Sequence, residues 1–289
     1  METKIWSKTQ TTLIGPEHPI VILGERINPT GKKRLAASLV ERDMTRVKRL
    51  AKSQVAKGAR ILDVNVGAAG VDEVEVLPMA VKAVMEVTDI PLCIDSANAE
   101  ALKAALAVYE GKALINSVNG EEASLARVLP LVAENKAAVI GLAMDDDGIP
   151  CSAAARIAIA KKIVERAEAM GIPREDILID CLALTVSADS TAAQVTLDAI
   201  RGVKEALGVN MSLGASNISF GLPDREAVNS RFLSMAMMLG VNAPIVNPSH
   251  AQKDVLIANL LLGRDEFGMT YVRHCRAEAK KAREAAANG

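Results

Sequence analysis

Aromatic residues are almost missing from this sequence: one Trp, two Tyr and three Phe among 289 residues, of which half are hydrophobic. A core must therefore be built from Ala, Val, Ile, Leu and Met, and branched aliphatics suit parallel strands buried on both faces. Cysteine is scarce as well. Cys93, Cys151, Cys181 and Cys275 lie far apart with no CxxC pair, which excludes a disulfide framework and zinc-site spacing and leaves reduced thiols. Neither sign of charge dominates. The 34 basic and 35 acidic residues are interspersed, so no basic stripe marks a nucleic-acid surface and no acidic tail marks a disordered one. The opening METKIWSKTQ lacks the apolar centre of a signal peptide, and no apolar run reaches the ~20 residues that span a bilayer. The expected setting is cytoplasmic, away from membranes.

Familiar catalytic patterns are lacking too. His18, His250 and His274 are scattered, and no HExxH, Ser-His-Asp or Walker arrangement occurs, which argues against metal hydrolysis and phosphoryl transfer. No bound metal is expected. His250 in NPSHAQKD sits at an expected helix start, where capping or packing competes with a role as base.

What is present is an alternation of short apolar runs with longer Ala-rich segments of helical period. The runs Ile20–Gly24, Arg60–Val66, Pro91–Asp95, Ala113–Ser117, Ala137–Ala143, Ile177–Cys181, Asn210–Ala215 and Ala243–Val246 predict eight strands. Between them Arg42–Ala56, Asp72–Val87, Ala99–Val108, Glu122–Ala133, Ala153–Met170, Thr191–Leu207 and Arg225–Leu239 predict helices, with Gly171 and Gly208 at C-cap positions. Repeated βα units without a linker predict an α/β fold, a single-domain (β/α)8 TIM barrel, over 20–264. Residues 1–19 form an N-terminal extension, and 265–289 carry a C-terminal helix, Asp265–Asn288, packed on the barrel.

In such a barrel the chemistry gathers where strands end. Here the runs end in GERINPTG, LDVNVG, CIDSAN, INSVNG, LIDC and GASNIS, so six of eight deliver Asp, Asn, Glu or Ser to one rim. Turns and helix N-caps favour the same residues, so no single one is decisive. Asp63 and Asn65 stand apart because LDVNV puts them inside a strand on one face. Asp95 and Asp180 each follow a buried apolar run, and a carboxylate there is costly unless it meets donors. A reduced pterin offers them: its 2-amino group and ring N–H match a carboxylate in paired hydrogen bonds.

The segments GERIN, LDVNVG, LCIDSAN, INSVNGE, VIGLAMDDDGIP, LIDCL, LGASNISFGLP and NSRFLSMAMMLG, in that order, resemble the pterin-binding methyltransferase family over Val21 to Leu262. That family includes methyltetrahydrofolate:corrinoid/iron-sulfur protein methyltransferases and the folate domain of cobalamin-dependent methionine synthase. The resemblance implies that Asp95, Asn116 and Asp180 bind the pterin edge, and that Asn217 hydrogen-bonds N-5 of the folate as the catalytic residue. Asp63 and Asn65 either touch the pterin or orient Asp95 and Asn116. Gly214 and Ser216 line the same strand end, Gly214 for ligand approach or for packing alone; Arg225 meets the folate tail or caps its helix. The implied substrates are tetrahydrofolate or methyltetrahydrofolate and a cobalamin-type corrinoid. No DxHxxG corrinoid-carrier segment occurs, so the corrinoid is expected on a partner protein. The resemblance also implies a homodimer, with the Met-rich SMAMML helix facing either a second subunit or the barrel. The alternatives are a dihydropteroate synthase-like condensing enzyme, which in its family carries a Lys after strand seven where this chain has Asn217, and a non-catalytic folate-binding subunit.

Overall fold

The computed structural model describes residues 1–287; positions 288 and 289, the end of the expected last helix, lie outside the described residues. Strands β1 (Thr3–Trp6) and β2 (Thr11–Ile14) form an antiparallel hairpin. Eight parallel strands then close a barrel: β3 (Leu23–Ile27), β4 (Ile61–Asn65), β5 (Leu92–Asp95), β6 (Leu114–Asn119), β7 (Ala138–Leu142), β8 (Ile177–Asp180), β9 (Asn210–Gly214) and β10 (Ala243–Val246), with β10 paired to both β9 and β3. The TIM barrel expected from the sequence is the observed architecture.

The helices are α1 (Lys33–Val40), α2 (Thr45–Ala56), α3 (Glu73–Met85), α4 (Ala99–Leu106), α5 (Glu122–Glu134), α6 (Ala153–Ala169), α7 (Ala192–Leu207), α8 (Arg225–Leu239), α9 (Pro248–Leu261) and α10 (Met269–Ala287). Alternation along each strand separates two cores. Leu62, Val64, Ile94, Ile115 and Ile179 join the layer beneath the helices, while Leu23, Ile61, Cys93, Leu114, Ile140 and Leu178 fill the lumen. Helix α7 ends at Gly208, whose φ of 66° is left-handed, so its N–H turns back to the Lys204 carbonyl.

Three elements start three or more residues later than the sequence reading places them. The first barrel strand is Leu23–Ile27, not Ile20–Gly24, because Ile20 and Val21 spend their N–H groups on the Asn259 side chain and the Asn242 carbonyl at 2.8 and 2.9 Å. Glu25 thereby moves from a loop into a strand. The helix expected from Arg42 starts at Thr45, since Arg42 is left-handed at φ 56° and the Asp43 carboxylate accepts the Thr45 N–H at 2.9 Å. The last helix begins at Met269, with Asp265 accepting the N–H groups of Thr270 and Tyr271, each at 2.9 Å. No helix among the described residues is long and apolar enough to cross a membrane.

The first residues stopper the lumen at the N-terminal end of the strands. Ile5 and Ile14 of the hairpin are fully buried in the lumen core. Asn210, at the start of β9 and fully buried, donates to the Thr3 hydroxyl at 2.8 Å and the Ile14 carbonyl at 2.9 Å, while accepting from the Asn242 amide at 2.8 Å. Thr3 in turn donates to the Glu175 carbonyl. A buried amide so satisfied fixes the hairpin to one register, and its loss strands several partners. Asn210→Ala should lower the unfolding free energy by roughly 2–4 kcal/mol in urea titration; an unchanged midpoint would mean the network does not hold the hairpin.

Candidate functional site

At the opposite end the lumen changes from apolar to polar within one residue layer. Above Leu23, Ile61, Cys93, Leu114 and Leu178 come Glu25, Asp63, Asn65, Asp95, Asn116 and Asp180, each on the lumen side of its strand. Strand register sets Asn65 beside Asp95 and Asp95 beside Asn116, so the sequence-predicted residues of three strands form one contiguous row.

Asp63 is the deepest of them, with 3% of its surface exposed. Its Oδ1 accepts from Asn116 Nδ2 at 3.1 Å, and the Cys93 thiol and the Asp95 carboxyl also hydrogen-bond to it. Burial pushes Asp63 up to about 6, assisted by Glu25, against the donors Asn116 and Cys93. Burial, then the neighbouring Asp63, drives Asp95 well above the ordinary carboxylate range, opposed by a hydrogen bond from Asn65. Asn65 Oδ1 accepts the Gly67 N–H at 2.8 Å, which fixes the amide that faces Asp95.

Asp180 is held differently. Oδ1 accepts the Leu182 N–H at 2.7 Å and Oδ2 the Gly214 N–H at 2.9 Å, and Leu182 adopts φ 61° to make the first of these possible. Burial raises the Asp180 carboxyl, while the two backbone donors and Arg156 pull it down. Arg156, 1% exposed, donates to the carbonyls of Pro150, Cys181 and Leu182 and to the Thr196 hydroxyl at 2.7–3.1 Å. A buried guanidinium with these partners stiffens the turn that presents Asp180.

The loop after β9 winds into one 3-10 segment, Ala215–Ser219. Gly214 sits beneath it: a Cβ there would lie 3.4 Å from Asn217 Nδ2, so the Asn217 amide covers that backbone while the residue stays exposed. Ties from several elements fix the loop. Ser216 Oγ donates toward both Glu25 oxygens at 3.3 Å. Arg225 donates to the Ser216 carbonyl and the Ser219 hydroxyl at 2.9 and 3.0 Å, and its guanidinium lies 4.4 Å from the centre of the Phe220 ring. Thr185 and Ser187 donate to the Phe220 carbonyl.

Glu25 and Lys32 belong to this mouth and were not among the sequence-predicted site residues. Burial raises Glu25, with Ser216, Lys32, Arg26 and Arg225 acting the other way; burial and Arg26 lower Lys32, whose ammonium donates to the Asn28 carbonyl at 2.8 Å. The signal is in GERIN: a strand ending at Gly24 leaves Glu25 in a loop, whereas β3 runs on to Ile27 and carries Glu25 within it. His250 is exposed on the first turn of α9, 2.9 Å from Glu226, outside the row. Among the described residues no group of His, Cys, Asp and Glu is arranged to hold a metal ion. A flank cleft of about 410 Å³, lined by Ile20, Val55, Arg60, Gln252 and Arg264 among others, holds no comparable set of carboxylates.

The family model for pterin binding enzymes matches residues 24–247 of this chain. Methylcorrinoid:tetrahydrofolate methyltransferase of Eubacterium limosum is 30% identical over 265 residues, covering 89% of this chain and 96% of that protein. Methionine synthase of Mycobacterium tuberculosis is 32% identical over 243 residues, covering 80% of this chain but only 20% of the longer protein. Among solved structures, dihydropteroate synthase from Thermus thermophilus superposes with a TM-score of 0.64 at 21% identity, covering 89% of this chain and 99% of that one. The Yersinia pestis enzyme gives 0.66 at 15% identity, covering 90% and 98%. At these identities the two structures share the fold.

The raised carboxyls set a pH dependence. Asp63 holds its proton up to about 6 in the folded protein and gives it up near the ordinary aspartate value of 3.8 when unfolded. Between those values the native state binds more protons, so this contribution to stability is present at the acid end and lost as pH rises through about 6. Asp63→Asn removes the group, and its advantage over the wild type should grow by on the order of 1–3 kcal/mol from about pH 5 to about pH 8 in parallel denaturant titrations. A constant difference would show that Asp63 does not titrate in this way.

Proposed function

Because the chain belongs to the pterin-binding enzyme family, we propose that it transfers a methyl group between N-5 of tetrahydrofolate and the cobalt of a corrinoid carried by a partner protein. The observation that carries this reading is the Asn217 amide poised over Gly214, at the edge of the row holding Asp95, Asn116 and Asp180. Similarity along nearly the whole of the Eubacterium limosum methyltransferase supports it.

The polar row suits a pterin edge chemically. Asp95 and Asp180 offer acceptors to the 2-amino and ring N–H groups, and Asn116 supplies a mixed donor and acceptor. Asp180 keeps lone pairs beyond the two taken by Leu182 and Gly214. At N-5 the leaving nitrogen must gain a proton or an equivalent hydrogen bond as its bond to the methyl carbon breaks and the electron pair returns to it. Asn217 Nδ2 donates that hydrogen bond. A reduced corrinoid, when docked, supplies a strongly nucleophilic cobalt, so the chain needs no nucleophile of its own and contributes alignment and activation. Arg225 serves to position the loop, its guanidinium being turned to Ser216 and Ser219.

A condensing reaction of the dihydropteroate synthase type calls for a cation after β9 to stabilise pyrophosphate. From Ala215 to Asp224 this chain has none. A second copy is the proposed occupant of the α8 and α9 face, where Met238 and Leu261 stand 71% and 78% exposed; purely monomeric sedimentation would remove that part of the reading.

Mixing the protein with methyltetrahydrofolate and photoreduced cobalamin should bleach the Co(I) absorbance, and absence of transfer to free and protein-bound corrinoid alike would sink the methyltransferase reading. Asn217→Ala should slow transfer by ~10²-fold or more with pterin affinity comparatively intact. Asp180→Asn should weaken affinity instead, since an amide N–H would oppose the donors it now accepts; unchanged calorimetric affinity would contradict the contact.

A further inference from the structure

Asp63 and Asp95 face the lumen from the neighbouring strands β4 and β5, Asp95 standing two residues above the Cys93 that pairs with Asp63; Asp63 is buried and Asp95 half-buried, and their carboxyls meet in a hydrogen bond. A hydrogen bond between carboxyl oxygens requires a proton, and neighbouring carboxyls in a desolvated site do not both ionise. In the free protein the charge is better placed on Asp63, which already receives Asn116 Nδ2 and the Cys93 thiol. The proton then rests on Asp95. A neutral acid there has one oxygen engaged in donating, and cannot accept two pterin N–H groups side by side.

Resting on the reading that Asp95 meets the ring edge, we propose that Asp63 is a positioning residue that never touches the pterin and that takes the shared proton from Asp95 when the ring's N–H donors dock. The O–H bond on Asp95 breaks as one forms on Asp63, along the hydrogen bond that already joins them, and the net charge of the pair stays at one. Glu25 from β3, Glu73 from α3, Asn65 from β4, Cys93 from β5 and Lys32 ahead of α1 are the other charged or polar groups around the pair. The negative neighbours Glu25 and Glu73 favour keeping one proton on it.

The inference separates two substitutions that a purely structural role would not. Asn at position 63 mimics the protonated acid: its amide N–H donates to Asp95 and its carbonyl still accepts from Asn116. Ala does neither. Calorimetric titration of methyltetrahydrofolate into the full chain should give Asp63→Asn an affinity within about threefold of wild type near neutral pH, and Asp63→Ala a loss of about tenfold or more. Above the pair's second ionisation the wild type must take up a proton to bind, so its affinity should fall about tenfold per pH unit, and Asp63→Asn should lack that limb. The ligand's own titration is common to both proteins and cancels. Asp63→Asn binding as weakly as Asp63→Ala, or sharing the wild-type pH profile, would overturn the inference. Should Asp63→Ala fail its thermal-melt check, the two pH profiles of wild type and Asp63→Asn decide alone. No binding by the wild type at any pH would overturn the pterin reading itself, a different and separable failure.

Discussion

Carboxylates withdrawn from water at the end of a closed lumen must find donors, and this requirement organises the mouth of the barrel. Register puts Asn65, Asp95 and Asn116 side by side on neighbouring strands. The barrel does not satisfy them uniformly. Asp180 is met by two backbone N–H groups and braced through Arg156; Asp63 is met by an amide and a thiol. Asp95 has the Asn65 amide alone as a donor and otherwise leans on another acid. The residual demand for donors is concentrated on the side open to a ligand.

The two ends of the lumen contrast in this respect. At the N-terminal end the buried amides of Asn210 and Asn242 are matched to Thr3, Ile14 and the Met211 N–H, and the hairpin closes over them. Nothing there calls for a further partner. At the other end Glu25 has only long contacts of 3.3 Å to Ser216, and Asn217 faces solvent. Satisfied polar groups specify structure, whereas under-satisfied ones mark where binding energy is available.

Much of this was legible in the sequence because strands and helices have different periods. The pair Asp63 and Asn65 shows its shared face through spacing alone, Asp95 and Asp180 stand out because each ends an apolar run, and Asn116 enters through the resemblance carried by INSVNGE. The departures have local causes. Ile20 to Ile22 is as apolar as a strand, yet its backbone is engaged by Asn259 and Asn242, residues more than two hundred positions away; no local pattern encodes that. A strand read from that run stops at Gly24, one residue short of Glu25. Whether Asp63 reaches upward to a ligand or sideways to Asn116 depends on a side-chain geometry that period-two spacing leaves open, and its 3% exposure and the Asn116 bond favour the sideways role.

In the proposed reaction, recognition and activation fall to different parts of the fold. Asp63, Asp95, Asn116 and Asp180 all sit on strands whose neighbours are fixed by backbone ladders, so their spacing is as rigid as the barrel. Asn217 sits on a short 3-10 turn whose place is set by side chains: Glu25 from β3, Arg225 from α8, and Thr185 and Ser187 from the loop after β8. Each of those ties is partly exposed and individually worth about 1 kcal/mol. A loop fastened in this way can change its residues without disturbing the ring-edge row. On the proposed reading the barrel keeps a pterin edge in one place while the segment after β9 decides what happens to it, and in this chain that segment brings an amide and no cation.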